Sequence, residues 1–309
     1  MPPTVHQTMT PSEWALLIAL SVLWGGSFLF IAVAVTELPP VTVVAVRVAI
    51  GAALLYLVVR AVGRQLPTGL PIWAAFAGMG ILNNVIPFSL IAWGQTQIPG
   101  GLASILNATT PFFTVIVAHL FTRDERMTFA RVIGVIIGFG GVAIMMGVDL
   151  LADVGQHLWA QLAILGAGLS YALSAVYARR FSRLGQPPLV SAAGQFIAAA
   201  VMMIPLSLVF DHPWSLPAPS WQVVGSVVAL GALSSCLAYI IYYRILATAG
   251  AVNLMLVTFL VPVSAILLGS LVLGERLSAH HFLGMAAIGF GLAVIDGRPL
   301  ATLRRRLAA

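Results

Sequence analysis

Residues 101–121 read GLASILNATTPFFTVIVAHLF, with no Asp, Glu, Lys or Arg, and at their centre stands Leu106-Asn107-Ala108-Thr109-Thr110-Pro111. A helix rises about 1.5 Å per residue, so this run is long enough to cross a hydrocarbon core of about 30 Å. An amide followed four residues later by a proline is unwelcome in lipid, because proline removes a backbone donor and the amide needs partners. The stretch therefore predicts a membrane helix that carries polar groups for a purpose.

Working outward, similar apolar runs recur near residues 14–34, 41–60, 72–94, 131–148, 158–178, 188–210, 221–246, 251–273 and 281–297. With the first they predict ten membrane spans. Composition agrees: 60% of the 309 residues are apolar and 8% charged, against about 45–50% and 25% in soluble domains. The net charge of +6 does not indicate nucleic acid, because its position is topological. All the basic residues are Arg; apart from Arg47 within span 2 and Arg276 after the odd-numbered span 9, where it stands at the place Arg126 holds in the first copy, they are grouped at 60 and 64, at 123, 126 and 131, at 179, 180 and 183, at 244, and at 298 and 304–306. Each group follows an even-numbered span, so the positive-inside bias places both termini in the cytoplasm. The all-Arg, Ala- and Gly-rich composition is associated with high-GC bacteria, and the expected location is a bacterial inner membrane. Cys236 stands alone, which rules out an internal disulfide framework.

The chain repeats itself. Pro39-Pro40 and the sixteen-residue run they open resemble the run from Pro187, with Arg47 opposite Gln195. Trp24-Gly-Gly-Ser27 aligns with Tyr171-Ala-Leu-Ser174. At one constant offset, Asn83-Asn84 meets Ser234-Ser235, Phe88 meets Tyr239 and Pro111 meets Pro262; Glu125-Arg126-Met127-Thr128 recurs as Glu275-Arg276-Leu277-Ser278. Two halves of five spans, 1–155 and 156–309, follow. Because five is odd, the second must enter the bilayer from the opposite side, as in inverted-repeat transporters.

These residues resemble the drug/metabolite transporter superfamily, specifically its ten-span EamA-type carriers and, within them, the amino-acid exporter branch. The motifs are the Trp-Gly of span 1, the Pro-Pro and Arg of span 2, the mid-span Pro of spans 4 and 9 and the Glu-Arg after each. The resemblance implies helices around a central cavity, with spans 5 and 10 peripheral, and an exporter's function.

Pro87, Pro111 and Pro262 each free the carbonyl four residues back, on Asn83, Asn107 and Thr258, and are expected to act as kinks or hinges. Asn83, Asn84, Asn107, Ser234, Ser235 and Thr258 either satisfy one another between helices or bond the polar part of a substrate. Trp24 with Ser27, Tyr171 with Ser174, and Phe88 and Tyr239 one turn beyond their polar pairs form helix faces suited to packing a substrate's body. Arg47, inside span 2, has three readings: snorkelling outward, pairing within the protein, or meeting a substrate carboxylate. The glycines of spans 5 and 10 (Gly134, Gly138, Gly141, Gly284, Gly289 and Gly291) read as helix packing, with a dimer contact as the alternative to a monomer.

The nine acidic residues all fall at span ends or in loops. This disfavours proton-relayed export of cationic amines, and the lack of Lys disfavours phosphate-rich substrates. No zinc-protease, nucleophile-elbow or P-loop motif is present, so no enzyme, metal or cofactor is expected. The reading is an all-α membrane carrier exporting small neutral or zwitterionic metabolites, most plausibly amino acids, by alternating access. Its alternatives are a multidrug amine pump and a channel or scramblase.

Overall fold

The computed structural model describes residues 9–121, 129–146, 157–254, 256–276 and 278–296. The Glu125-Arg126-Met127-Thr128 copy of the repeated motif and the arginines at 123, 298 and 304–306 lie outside the described residues. Among the described residues there is no strand. The helices are α1 (Pro11–Ala34), α2 (Pro40–Ala61), α3 (Leu70–Gly94), α5 (Phe129–Met146), α6 (Leu158–Arg183), α7 (Pro188–Phe210), α8 (Trp221–Thr248) and α10 (Ala279–Asp296). Two more are interrupted: α4 comprises Gly100–Asn107 and Thr110–Phe121, and α9 comprises Gly250–Leu254 and Val257–Leu268. By length and composition α1 to α4 and α6 to α8 are able to cross a membrane, and shorter apolar stretches lie at Val132–Val142 and Leu260–Leu273.

Helix beginnings follow local chemistry. The Thr10 side chain accepts from Glu13 N–H while the Glu13 carboxylate accepts from Thr10 N–H, a reciprocal cap on α1. Pro40 and Pro188 occupy the first turn of α2 and α7, where a missing N–H costs nothing. Outward-facing positions are apolar: Leu57, Ile136, Val201 and Leu271 are between 60% and 81% exposed. Such a surface is stable against hydrocarbon and unstable against water.

Contacts between the halves come in matched pairs. A Cβ on Gly80 of α3 would lie 2.8 Å from the Gln195 carbonyl of α7, and one on Gly231 of α8 would lie 3.2 Å from the Arg47 carbonyl of α2. A Cβ on Gly141 of α5 would lie 2.8 Å from the Gly284 carbonyl, and one on Gly291 of α10 would lie 2.6 Å from the Gly134 carbonyl. At these distances the glycines permit backbone-to-backbone packing that any side chain would block. Gly289 departs from the packing expectation, since nothing lies within 4 Å of its position. α5 and α10 pack chiefly on each other, tied to α4 through Phe112 and Phe113 against Phe139.

One end of the bundle is clasped by three carboxylates, each accepting from the N-terminus of a helix in the other half. Asp211 takes the Thr42 N–H and hydroxyl, both at 2.7 Å; Glu37 takes the Ser220 N–H at 2.7 Å; Glu275 takes the Gly100 and Gly101 N–H groups at 2.9 Å each. Helix N-termini hold unsatisfied donors and partial positive charge, so acids belong there. At the same end Gln95 Nε2 donates to the Phe28 carbonyl at 2.8 Å.

Candidate functional site

Two helices leave the α-helical path at matched places. α3 is π-helical over Ile81–Val85 and α8 over Leu230–Leu237. A π turn inserts extra backbone and re-aims the side chains around it, and such turns concentrate at functional sites. Pro87 follows the first, but Ala238 stands at the equivalent place in α8, so proline is not their common cause.

The bulges border a central chamber of about 440 Å³, walled by α1 to α4 and α6 to α9. Among the described residues none of α5 or α10 lines it. The structure brings Trp24, Ser27, Asn83, Phe88 and Asn107 to this chamber from the first half. From the second come Tyr171, Ser174, Tyr239, Thr258 and Pro262; Arg47 joins them.

Five expected site residues lie elsewhere. Ser234 Oγ donates to the Leu23 carbonyl at 2.8 Å, and Ser235 Oγ accepts from Arg47 Nε at 3.1 Å. Asn84 is fully buried with neither amide atom partnered. Its neighbour Asn83 takes the chamber position because adjacent side chains on a helical turn point in different directions. Pro87 is the second residue of the α-helical part of α3 after the bulge, and Pro111 is likewise the second residue of a new helical segment. Pro111 therefore follows a break instead of kinking a continuous helix. In α9 the interruption precedes Val257, and Pro262 sits inside the helix that follows.

The chamber's polar groups are partly spent on one another. Ser174 Oγ donates to Asn83 Oδ1 at 3.0 Å, and Asn83 Nδ2 donates to the Tyr239 hydroxyl at 2.7 Å and, more weakly, to Gln195 Oε1 at 3.5 Å. Ser27 returns its hydroxyl to the Trp24 carbonyl at 2.6 Å, and Ser174 shares its one hydroxyl proton between Asn83 Oδ1 and the Tyr171 carbonyl, the latter at 2.7 Å. The Asn107 carbonyl freed by Pro111 is not left exposed, because the Thr110 hydroxyl donates to it at 2.7 Å. The Asn107 side-chain oxygen has no partner. The apolar walls are aromatic, with Trp24 packed on Tyr242 and Tyr239 at centroid distances of 5.7 and 6.5 Å.

Arg47 neither snorkels nor forms an ion pair among the described residues. It is 6% exposed, its guanidinium carbon lies 3.7 Å from the Phe88 ring centroid, and Ser235 holds its Nε. Among residues missed as site candidates, Thr110 was within hydrogen-bonding reach in the helical spacing of the central motif, and Gln195 was visible as the repeat mate of Arg47. Tyr243 and Ser104 gave no local signal. Among the described residues no cluster of His, Cys, Asp or Glu is arranged to hold a metal.

Two matched bundles of apolar helices around a polar-dotted chamber define a class, the two-repeat membrane transporter. The chain belongs to the EamA-like transporter family, whose profile matches residues 12–147 and again 158–296. It is 24% identical to "Uncharacterized transporter YoaV" of Bacillus subtilis, over 89% of this chain and 94% of that one. It is 27% identical to "Uncharacterized inner membrane transporter YedA" of Escherichia coli K12, over 90% and 89%. A "Probable terminal-alkyne amino-acid exporter" of Streptantibioticus cattleyicolor is 27% identical over 97% and 98%. A solved crystal structure superposes with a TM-score of 0.65 at 22% identity, covering 92% of this chain and 96% of its own, and supports the fold.

Proposed function

We propose that this protein is a secondary carrier that exports small neutral or zwitterionic metabolites, amino acids foremost, across a bacterial inner membrane. In this reading the ten helices all cross the bilayer, the halves 1–155 and 156–309 have inverted topology, and both termini are cytoplasmic. The observation that carries it is the chamber of about 440 Å³, within the size range of small-molecule sites, to which both halves contribute hydrogen-bonding groups and aromatic walls. The three-carboxylate clasp closes the end that the Arg distribution assigns to the outside. Toward the opposite end the lining extends along α6 to Ala178 and along α8 to Leu246. That asymmetry is what an inward-open stage of alternating access requires. The amino-acid assignment draws on the neutral polar lining and on the exporter relative. A monomer suffices, since α5 and α10 bury their glycine faces on each other.

The test is counterflow in proteoliposomes with radiolabelled amino acids, cationic dyes and sugars. Saturable exchange of amino acids is expected. Asn107→Ala should weaken apparent affinity about tenfold, the scale of one lost hydrogen bond to a charged group, without preventing insertion. Exchange confined to dyes, or flux that does not saturate, would overturn the reading.

A further inference from the structure

We propose that Arg47 is the receptor for one carboxylate on the transported molecule, so the chamber selects small monocarboxylates with an apolar or aromatic body and rejects the corresponding amines. The inference rests on the carrier reading above and assigns a specific group within it.

A guanidinium presents five N–H donors in a planar fork. In Arg47 the Nε donor is spent on Ser235 Oγ at 3.1 Å, and the guanidinium carbon lies over the Phe88 ring at 3.7 Å from its centroid. The donors on Nη1 and Nη2 have no protein acceptor among the described residues. Among the described residues no carboxylate neutralises the charge either: Glu13, Glu37, Asp211 and Glu275 are all engaged at helix N-termini. An unpaired charge removed from water is strongly unfavourable and needs a counter-ion. Arg47 lines the chamber while only 6% exposed, so that counter-ion has to arrive within the chamber itself. A carboxylate matches the free edge of the fork with two parallel hydrogen bonds.

The other half limits the number of acids to one. Gln195 holds the equivalent place on α7, and it is neutral and already engaged with Asn83. A second carboxylate would find no cation there. The chamber also offers the rings of Trp24, Tyr239 and Tyr242 and the unpartnered amide oxygen of Asn107, which suit an apolar body and a lone ammonium. A molecule bearing only positive charge would meet the uncompensated field of Arg47.

The experiment uses the full-length protein with phenylalanine, 3-phenylpropionate, phenylalaninamide and phenethylamine as probes. They share one body and differ in which charged ends they carry. Competition for counterflow is measured in proteoliposomes, and binding is measured separately by thermal shift in detergent. The two acids are expected to compete and to stabilise, with the amide and the amine at least tenfold weaker. In Arg47→Gln the preference should vanish, with acid affinity reduced at least tenfold and amine affinity unchanged or higher; Arg47→Lys should fall between. Equal potency of acid and amide in the wild type overturns the assignment, as does an Arg47→Gln protein that loses acids and amines alike. Should the variant fail to fold, the wild-type series alone decides. Acids that stabilise the protein without being exchanged would keep the Arg47 site and overturn the export reading. Exchange indifferent to the carboxylate would do the reverse.

Discussion

The two halves of this bundle agree where helices touch and differ where the chamber begins. Gly80 and Gly231 are the same residue meeting the backbone of matched helices, and so are Gly141 and Gly291. At the chamber the matched positions are Arg47 and Gln195, Trp24 and Tyr171, and Asn107 and Thr258. Close packing of two backbones admits one solution, glycine, and both halves use it. A small molecule has no two-fold axis, so a site built from two copies gains selectivity only when the copies diverge. The first half contributes the charge and two amides; the second contributes one amide, Gln195, and the four phenols Tyr171, Tyr239, Tyr242 and Tyr243.

Polarity is redistributed even where geometry is kept. Ser170 of α6 donates to the Leu82 carbonyl in the first π turn at 2.7 Å, whereas in the matching contact Ser234 of the second π turn donates to Leu23 of α1 at 2.8 Å. The helix pair and the bond are the same, and the donor has changed sides.

If packing is the conserved part, breaking it should have the largest effect. Gly291→Leu places a side chain against backbone atoms of α5, and overpacking of this kind typically costs about 1–3 kcal/mol, or roughly 5–10 °C in the unfolding midpoint. Gly289→Leu, where the space is open, should shift the midpoint by less than about 2 °C. Thermal unfolding of the two variants in detergent reads the contrast, and equal losses would mean that the α5–α10 contact contributes little.

The chamber side of the comparison is sharpened by the adjacent amides. Asn83 is bonded at both ends of its side chain and lines the chamber, whereas Asn84 is buried with both ends orphaned. Replacing an unsatisfied buried amide with an apolar group of similar shape is nearly neutral or stabilising, by up to about 1 kcal/mol. Asn84→Leu should therefore keep or raise the midpoint and leave counterflow affinity within about twofold. A loss of affinity would return Asn84 to the site.

The smallest effect concerns the clasp. The Ser220 N–H holds the Glu37 carboxyl below its ordinary value of 4.5. A lowered carboxyl pKa stabilises the folded state above the ordinary carboxylate range, and that contribution is lost as pH falls through the lowered value. Glu37 is exposed, so solvent screens the interaction and the shift in midpoint should be slight. Glu37→Gln should remove that acid-side decline, and midpoint curves between pH 7 and pH 3 that superpose for variant and wild type would assign the clasp to Asp211 and Glu275.

Much of the architecture was written in local pattern. Apolar runs of membrane length, the Pro-Pro openings of α2 and α7 and the constant offset between halves needed no coordinates, because each is a one-dimensional consequence of helix geometry. The site was only half legible. Sequence marked Asn83 and Asn84 alike, but adjacent residues of a helical turn point in different directions, and only Asn83 lines the chamber. It marked Pro111 as a kink, and Thr110 proved to satisfy the carbonyl that Pro111 frees.

Hydropathy, spacing and charge position thus determined by themselves that this chain is a duplicated helical membrane bundle with polar groups set deep inside it. Which of those groups meet was a tertiary matter. Arg47 and Ser235 are 188 residues apart in sequence yet hydrogen-bonded. The physical reason is range: backbone satisfaction in lipid is settled within each helix, whereas the environment of a buried charge depends on neighbours brought in from other helices, and no local pattern encodes them.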